Sequence, residues 1–227
     1  GRFLMKLVEY GSGYNRYVIP ENSLDQDSVC YLVGVGEDIT FDCEIVDKYQ
    51  CKGVLFDPTP RSVAHFKNVI KNPSISPIPS DKNYPNYSKF SKSLHLLEYV
   101  NWGIAGSDEI VQFYPPSSPG AVSHSIDNIK NTNASGGFKA QCYKLSSVMK
   151  NLGHEKIDLL KLNIEGAEIY IVNDIIKELL PVKMIAVDFD YVKKYDYPPV
   201  SHVIQQLENI GYKAVYKGHN YTLVKDL

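Results

Sequence analysis

Two glycines and two acids follow a short apolar run near residue 34. In the segment YLVGVGEDITFD, the glycines are Gly34 and Gly36, and the acids that follow are Glu37 and Asp38. Glycine has no Cβ, so its backbone can approach a ligand closely. Carboxylates at such a turn would repel phosphate and attract a cation. The pattern therefore favours a ligand that carries positive charge.

A structural role for the two acids stays open beside the ligand-binding one. Acids in the first turn of a helix complement the helix dipole, and Asp38 stands where it could cap the helix that follows. The apolar residues Ile39, Cys43 and Val46 recur at helical spacing directly after it. Glu37 and Asp38 are therefore candidates either for cofactor binding or for starting a helix.

A third acid ends the next apolar run. Asp57 comes 23 residues after Gly34 and is followed by Pro58 and Thr59. A carboxylate at this strand end can accept hydrogen bonds from both hydroxyls of an adenosine ribose, in NAD enzymes and in S-adenosylmethionine enzymes alike. A dinucleotide fingerprint needs a third glycine, where this chain has Ile39. An NAD(P)-dependent oxidoreductase is therefore the disfavoured alternative.

Further polar residues lie at later strand ends and in one loop. They are His124 in SHS, Asn163 and Glu165 in LNIEGAE, and Asp188 and Asp190 in DFD. The histidine and the three acids are candidate general bases, and the two aspartates share one side of their strand. With Asn163 or Glu165 they would offer oxygen ligands to Mg²⁺. No metal site is assigned, however, because ordering a turn, or solvation at a sheet end, explains these residues equally simply.

The elements that would position these residues alternate between strands and helices. Strands are predicted in SVCYLV, KGVLFDPTP, LHLLEYVNWGIAG, EIVQFYPP, FKAQCYKL, IDLLKLNIEGAE and KMIAVDFDYV, and helices in RSVAHFKNVIKN, SSVMKNLG and SHVIQQLENIG. Such alternation predicts a doubly wound, mostly parallel α/β sheet. A hairpin across 218–220 adds an antiparallel strand at the end. One domain is expected over 28–227, preceded by an N-terminal extension over 1–27.

Composition narrows the class of protein. The 227 residues are 44% hydrophobic and 22% charged, with a formal net charge of −2, which is typical of a globular domain without a basic surplus for nucleic acid. No apolar stretch approaches the ~20 residues of a membrane span, so a cytoplasmic protein is expected. The four cysteines form no CxxC pair, which favours buried, reduced thiols.

Three segments, in this order, resemble the FkbM family of S-adenosylmethionine-dependent methyltransferases. VGVGEDITFDCEIVDKYQCKGVLFDPTPRSV resembles the cofactor-binding half, and FYPPSSPGAVSHSIDN and IDLLKLNIEGAE resemble the middle and late motifs. The resemblance covers most of residues 28–227. It implies a class I methyltransferase fold, which is Rossmann-like and ends in an antiparallel hairpin. It also implies S-adenosylmethionine as cofactor and O-methylation of a sugar, glycan precursor or small metabolite.

The resemblance assigns roles to the candidate residues. The amino acid end of the cofactor falls to Gly34, Gly36 and Glu37, the ribose to Asp57, the adenine to Trp102 and Gly103, and the methyl group to Asn163 and Glu165. Asp38, Pro58 and Thr59 are further candidates for cofactor binding. The acceptor side falls to His124, Asp188 and Asp190. Trp102 also keeps a second interpretation, as an aromatic of the core.

Two departures from the family pattern bear on turnover. Asn163 stands where the family usually has an aspartate, and Asp190 stands where a histidine is common. An amide can donate and accept hydrogen bonds but cannot take up a proton. A methyltransferase fold that binds its ligand without turnover is therefore the second alternative.

Overall fold

The computed structural model describes residues 5–77, 86–114, 137–164, 167–189 and 199–226. Within these ranges the strands are β1 (Leu7–Ser12), β2 (Asn15–Pro20), β3 (Val29–Val33), β4 (Lys52–Phe56), β5 (Leu97–Val100), β6 (Gly103–Ile104), β7 (Glu109–Phe113), β8 (Phe138–Tyr143), β9 (Ile157–Leu162), β10 (Val182–Val187), β11 (Lys213–Lys217) and β12 (Tyr221–Val224). The helices are α1 (Thr40–Tyr49), α2 (Pro60–Lys71), α3 (Leu145–Leu152), α4 (Glu168–Glu178) and α5 (Val200–Asn209).

The central sheet has seven strands in the order β5-β4-β3-β9-β10-β12-β11. Strands β5, β4, β3, β9 and β10 are parallel, and β12 runs antiparallel to both of its neighbours. The predicted doubly wound sheet with one antiparallel strand near its end is confirmed. This order, with the last strand inserted antiparallel, is that of a class I methyltransferase sheet.

Both faces of the sheet are apolar because helices cover each of them. In β3 the alternation is direct: Tyr31 and Val33 join the core cluster under α3, α4 and α5, whereas Cys30 and Leu32 join the cluster under α1. All four cysteines are free and buried, as their isolated positions predicted. Among the described helices, none combines the length and the apolar character of a membrane span.

The segment before residue 28 forms a hairpin, β1–β2, that packs on α1. The ring of Tyr17 lies edge-on to Phe41 with 5.1 Å between centroids. Asn220 Nδ2 donates to the Arg16 carbonyl at 2.7 Å, which ties the hairpin to the turn between β11 and β12. The hairpin therefore shares a core with the sheet, and the division at residue 28 stays a prediction.

One strand prediction was wrong at its start. The residues Leu94–Leu96 form a 3₁₀ turn, and β5 begins at Leu97. The Leu96 amide donates to the Ser93 carbonyl at 3.0 Å. This backbone hydrogen bond lies within the segment, as in a 3₁₀ turn, and does not pair it with a neighbouring strand. A break after β5 then starts β6, which joins β7 and β8 in a separate three-stranded sheet. The strand prediction for FKAQCYKL is confirmed as β8.

Candidate active site

The carboxyl ends of the parallel strands meet at one edge of the sheet, here called the carboxyl edge. It is formed by the residues that directly follow β3, β4, β9 and β10, which are Gly34, Asp57, Asn163 and Asp188, and by Trp102, two residues after β5. Backbone hydrogen bonds continue past the strands, from the Gly34 amide to the Phe56 carbonyl at 3.0 Å and from the Asn163 amide to the Val33 carbonyl at 3.0 Å. The fold therefore brings these predicted residues to one edge, the usual ligand site of such sheets.

The glycine turn, defined as residues 34–38, needs glycine for its own packing. Gly34 has a φ of +86° and Gly36 a φ of +58°, which other residues rarely adopt. A Cβ on Gly34 would stand 1.9 Å from the Asn163 carbonyl oxygen. Gly34 is thus required for the close packing of the chain after β3 against the chain after β9, whether or not a ligand also approaches its backbone.

Asp57 fixes the amides of the glycine turn. Its Oδ2 accepts hydrogen bonds from the backbone amides of Val35 at 2.9 Å and Gly36 at 3.1 Å, and from the Ser62 hydroxyl at 3.1 Å. Its Oδ1 accepts the Thr59 amide at 2.8 Å. A carboxylate oxygen can accept two hydrogen bonds, so Oδ1 keeps capacity for a ligand hydroxyl. Asp57 as a whole is partly exposed.

Glu37 is the acid of the turn that faces solvent. Its Oε1 accepts a hydrogen bond from Arg61 Nε at 3.0 Å, and the two side chains are 21% and 49% exposed. An ion pair this exposed contributes roughly 0–1 kcal/mol, so the carboxylate can take another cation at little expense. Glu37 therefore suits the ammonium group of an amino acid.

Asp38 is fully buried and starts α1 instead. Its Oδ1 accepts the Thr40 amide at 2.9 Å and the Thr40 hydroxyl at 2.7 Å. Burial raises the pKa of this carboxyl from 3.8 to about 6, against the lowering effect of the two hydrogen bonds. The carboxylate offers no surface to a ligand, and its bond to the first helical amide favours the helix-starting interpretation.

Trp102 and Gly103 lie where the small sheet meets the carboxyl edge. Trp102 is half-buried and stands edge-on to Tyr143, with ring centroids 4.7 Å apart. A Cβ on Gly103 would lie 2.5 Å from Cys142 Sγ and 3.6 Å from Pro58 Cγ. Gly103 therefore lets β6 approach both β8 and the turn after β4, and it sets Trp102 beside that turn.

Of the five residues predicted beside the methyl group or on the acceptor side, two are described and three are not. Asn163 and Asp188 are partly exposed at the ends of β9 and β10. His124, Glu165 and Asp190 lie outside the described residues. Within the described ranges no cluster of three or more metal-ligating side chains occurs. The Mg²⁺ alternative, which involves Glu165 and Asp190, stays a prediction.

Sequence reasoning missed a buried polar cluster beneath the glycine turn. Lys161 is fully buried, and its Nζ donates to the Gly34 carbonyl at 2.7 Å and lies 3.3 Å from Asp42 Oδ1. Asn15 Nδ2 donates to Asp42 Oδ2 at 2.9 Å and to the Asp38 carbonyl at 2.8 Å. The available signal was a lysine near the end of the otherwise apolar run that forms β9, since a buried lysine almost always has a partner.

The edge as a whole suits a ligand with a cationic end and a ribose. The partly exposed side chains of Glu37 and Asp57 lie at the glycine turn, and the half-buried Trp102 directly precedes Gly103, whose backbone lies close to Pro58. A pyrophosphate at this turn would face the Glu37 carboxylate and be repelled. The arrangement can thus bind an aminoacyl nucleoside more readily than a dinucleotide.

Comparison with known proteins identifies a family whose model matches most of the chain. The family model described as Methyltransferase FkbM domain matches residues 33–214. Fibrillarin, a pre-rRNA processing protein of Methanococcus jannaschii, has a TM-score of 0.43 and 10% identity over 97% of this chain and 82% of its own. TYW2 of M. jannaschii, solved in complex with AdoMet, has a TM-score of 0.35 and 9% identity over 98% and 86%. No curated protein matches the chain. At these TM-scores the fold assignment rests on the strand order.

Proposed function

The chain belongs to the FkbM family of methyltransferases. From this premise we propose that it is an S-adenosylmethionine-dependent O-methyltransferase that acts on a hydroxyl of a sugar, a glycan precursor or a small metabolite. The observation that carries the proposal is the glycine turn between the partly exposed carboxylates of Glu37 and Asp57. When bound, S-adenosylmethionine supplies an electrophilic methyl group on a positively charged sulfur.

The donor set at the carboxyl edge fits this cofactor. Glu37 would hold its ammonium group, while the backbone at Gly34 and Gly36 lies against its amino acid end. Asp57 Oδ1, which has one protein donor, would accept a ribose hydroxyl. Since Asp57 Oδ2 already anchors the turn, one carboxylate would both shape the site and bind the ribose.

The adenine would lie on the surface of Trp102. The indole is half-buried and directly precedes Gly103, whose backbone lies close to Pro58, the residue after Asp57. A flat aromatic surface next to the ribose site is suited to stacking against a purine. Thr59, the N-cap of α2, is held by Asp57 and would border the same pocket.

Asn163 and the candidate bases would serve the acceptor. The Asn163 amide can orient a hydroxyl by hydrogen bonding but cannot remove its proton. Asp188 at the end of β10 is the described candidate for that base, and His124, Glu165 and Asp190 are the others. Holding the acceptor oxygen in line with the methyl group can supply up to roughly 7–11 kcal/mol of the barrier reduction. Alignment is therefore proposed as the main contribution of this edge.

Isothermal titration calorimetry with S-adenosylhomocysteine tests the cofactor assignment. We expect one site per chain with a dissociation constant near micromolar, and no heat with NADH at the same concentration. NADH binding in place of S-adenosylhomocysteine would support the oxidoreductase alternative and overturn the proposal.

Turnover is tested separately, on a panel of hydroxylated acceptors. Release of S-adenosylhomocysteine with at least one sugar or small metabolite is expected, and an Asp188→Asn variant should slow it without losing cofactor affinity. Cofactor binding with no release across the panel would instead favour the non-catalytic alternative.

A further inference from the structure

We propose that Lys161 is a positioning residue for cofactor binding: with Asp42 and Asn15 it forms a buried polar connection that holds the glycine turn in its ligand-binding conformation. The inference rests on the proposed function, because it concerns the same site. None of these three side chains would touch the cofactor, since all are buried.

The first part of the connection runs from the sheet to the turn. Lys161 lies on β9 and its side chain has no solvent exposure, yet its Nζ reaches the carbonyl of Gly34 at 2.7 Å. The ammonium charge is balanced by Asp42 Oδ1 at 3.3 Å. A buried charge without a partner costs several kcal/mol, so the ion pair fixes where the lysine can point.

The second part runs from the N-terminal hairpin to the other end of the turn. Asn15, the first residue of β2, donates through one amide nitrogen to Asp42 Oδ2 at 2.9 Å and to the carbonyl of Asp38 at 2.8 Å. The two carbonyls that bracket the turn, those of Gly34 and Asp38, are therefore both held by this buried cluster.

Asp57 holds the same turn from the opposite side. It accepts the amides of Val35 and Gly36, whereas the buried cluster donates to the carbonyls that flank them. The turn is thus fixed through both its donors and its acceptors. A turn held in this way is preorganised, because little conformational freedom is left to lose when a ligand binds.

A role in stability alone is the competing explanation, and it makes a weaker prediction. Replacing a buried ion pair by apolar or neutral groups of similar size is often neutral or stabilising. A cluster that served only the fold could therefore be neutralised without consequence for the ligand. The contacts with Gly34 and Asp38 predict instead that neutralising it releases the turn.

The test compares a neutralised variant with a control on the same strand. Lys161→Met combined with Asp42→Asn removes both charges of the ion pair together, so neither partner is left buried without the other. The control is Asp158→Asn, which disturbs the carboxylate that accepts the Val29 amide at 2.8 Å at the opposite end of β9. Asn15→Ala is a milder variant that removes only the amide donor.

Three quantities are measured on each folded variant: the melting temperature, the S-adenosylhomocysteine dissociation constant, and amide exchange of residues 34–38 without ligand. The double variant loses the hydrogen bond that the charged Lys161 donates to the Gly34 carbonyl, so we expect it to bind S-adenosylhomocysteine at least about tenfold more weakly. Its turn should also exchange faster. Asn15→Ala should weaken binding by about threefold, and Asp158→Asn should change melting without changing affinity or exchange of the turn.

Wild-type affinity and wild-type exchange in the double variant would overturn the proposal. If the double variant does not fold, Asn15→Ala decides on the same two readouts. If the wild-type protein itself fails to bind S-adenosylhomocysteine, the proposed function fails, while faster exchange of residues 34–38 in the variant would still support positioning of the turn.

Discussion

The two edges of the parallel sheet use similar parts in different ways. At the amino edge, Gly153 precedes β9 with a φ of +72°, and Asp158 Oδ2 accepts the Val29 amide. At the carboxyl edge, Gly34 has a φ of +86°, and Asp57 accepts the amides of the glycine turn. Each edge thus pairs a left-handed glycine with a carboxylate that binds backbone amides.

The two edges differ in how exposed the aspartate is and in how tightly the glycine is packed. Asp158 Oδ1 forms an ion pair with Lys156 Nζ at 3.2 Å. A Cβ on Gly153 would meet nothing within 4 Å. Asp57 is partly exposed whereas Asp158 is buried, and Gly34 has no room for a Cβ at all. The carboxyl edge therefore combines a tightly packed turn with a partly exposed aspartate. That combination is what the proposed cofactor site requires.

The largest expected effect separates the two glycines. Gly34→Ala places a Cβ 1.9 Å from the Asn163 carbonyl oxygen and should destabilise the fold by more than about 3 kcal/mol. Gly153→Ala meets open space and should lose only about 1 kcal/mol, from its positive φ. Urea unfolding of both variants measures the difference, and equal losses would contradict the packing contrast.

A pH-dependent effect is expected next, from Asp38. Burial raises the pKa of its carboxyl from 3.8 to about 6, so the folded state keeps a proton that the unfolded state releases. Stability should therefore be highest below about pH 4 with respect to this group and fall by up to about 3 kcal/mol as pH rises through about 6.

The Asp38→Asn variant isolates that contribution. Unfolding free energies of wild type minus variant, measured from about pH 4 to 7, should decrease with pH and then level off. His65, whose pKa burial lowers to about 4, titrates in an overlapping window but is present in both proteins and cancels in the difference. A pH-independent difference would show that folding does not shift the pKa of Asp38, and would contradict the prediction.

The two carboxylates give the third contrast. Asp57→Asn replaces one of two acceptor oxygens by a donor facing the amides of Val35, Gly36 or Thr59, so S-adenosylhomocysteine affinity should fall by about tenfold or more. Asp158→Asn should reduce stability while leaving affinity within about twofold. Calorimetry and thermal melting on the same samples separate the two effects. An affinity loss in both variants would contradict the claim that only the carboxyl edge binds the ligand.

The smallest expected effect concerns the exposed pair. Glu37→Gln removes the carboxylate proposed for the ammonium group and should weaken S-adenosylhomocysteine binding by about threefold, whereas Arg61→Gln frees that carboxylate and should strengthen it slightly at low salt. Titrations at low and high ionic strength test the pair. Weaker binding of S-adenosylhomocysteine in the Arg61→Gln variant would indicate that Arg61, not Glu37, contacts the ligand.

Much of the fold could be predicted because its signals are local. The buried strands β3, β4, β9 and β10 are continuous apolar runs, and the glycine turn follows directly from one of them. The sheet order then depends on the rules for parallel connections, which need no knowledge of side-chain contacts. The 3₁₀ turn at Leu94–Leu96 escaped because a short apolar run can bond locally as easily as to a strand.

The candidate site was predicted in its exposed parts and missed in its buried ones. Glu37 and Asp57 carry a chemical pattern visible in the sequence, but the role of Lys161 depends on partners 119 and 127 residues away, at Asp42 and Gly34. Asp38 shows the same limit, because its burial is a property of the folded chain, in which Asn15, 23 residues away, donates to its carbonyl. Long-range polar contacts leave no periodic signal.

Hydrogen–deuterium exchange with and without S-adenosylhomocysteine tests the central claim most directly. If the carboxyl edge is the cofactor site, saturating ligand will slow exchange in peptides that span residues 34–38, 57–59 and 102–103, and leave those around 153–158 unchanged. Absence of protection at the carboxyl edge under saturating ligand, or protection at the amino edge instead, would contradict it.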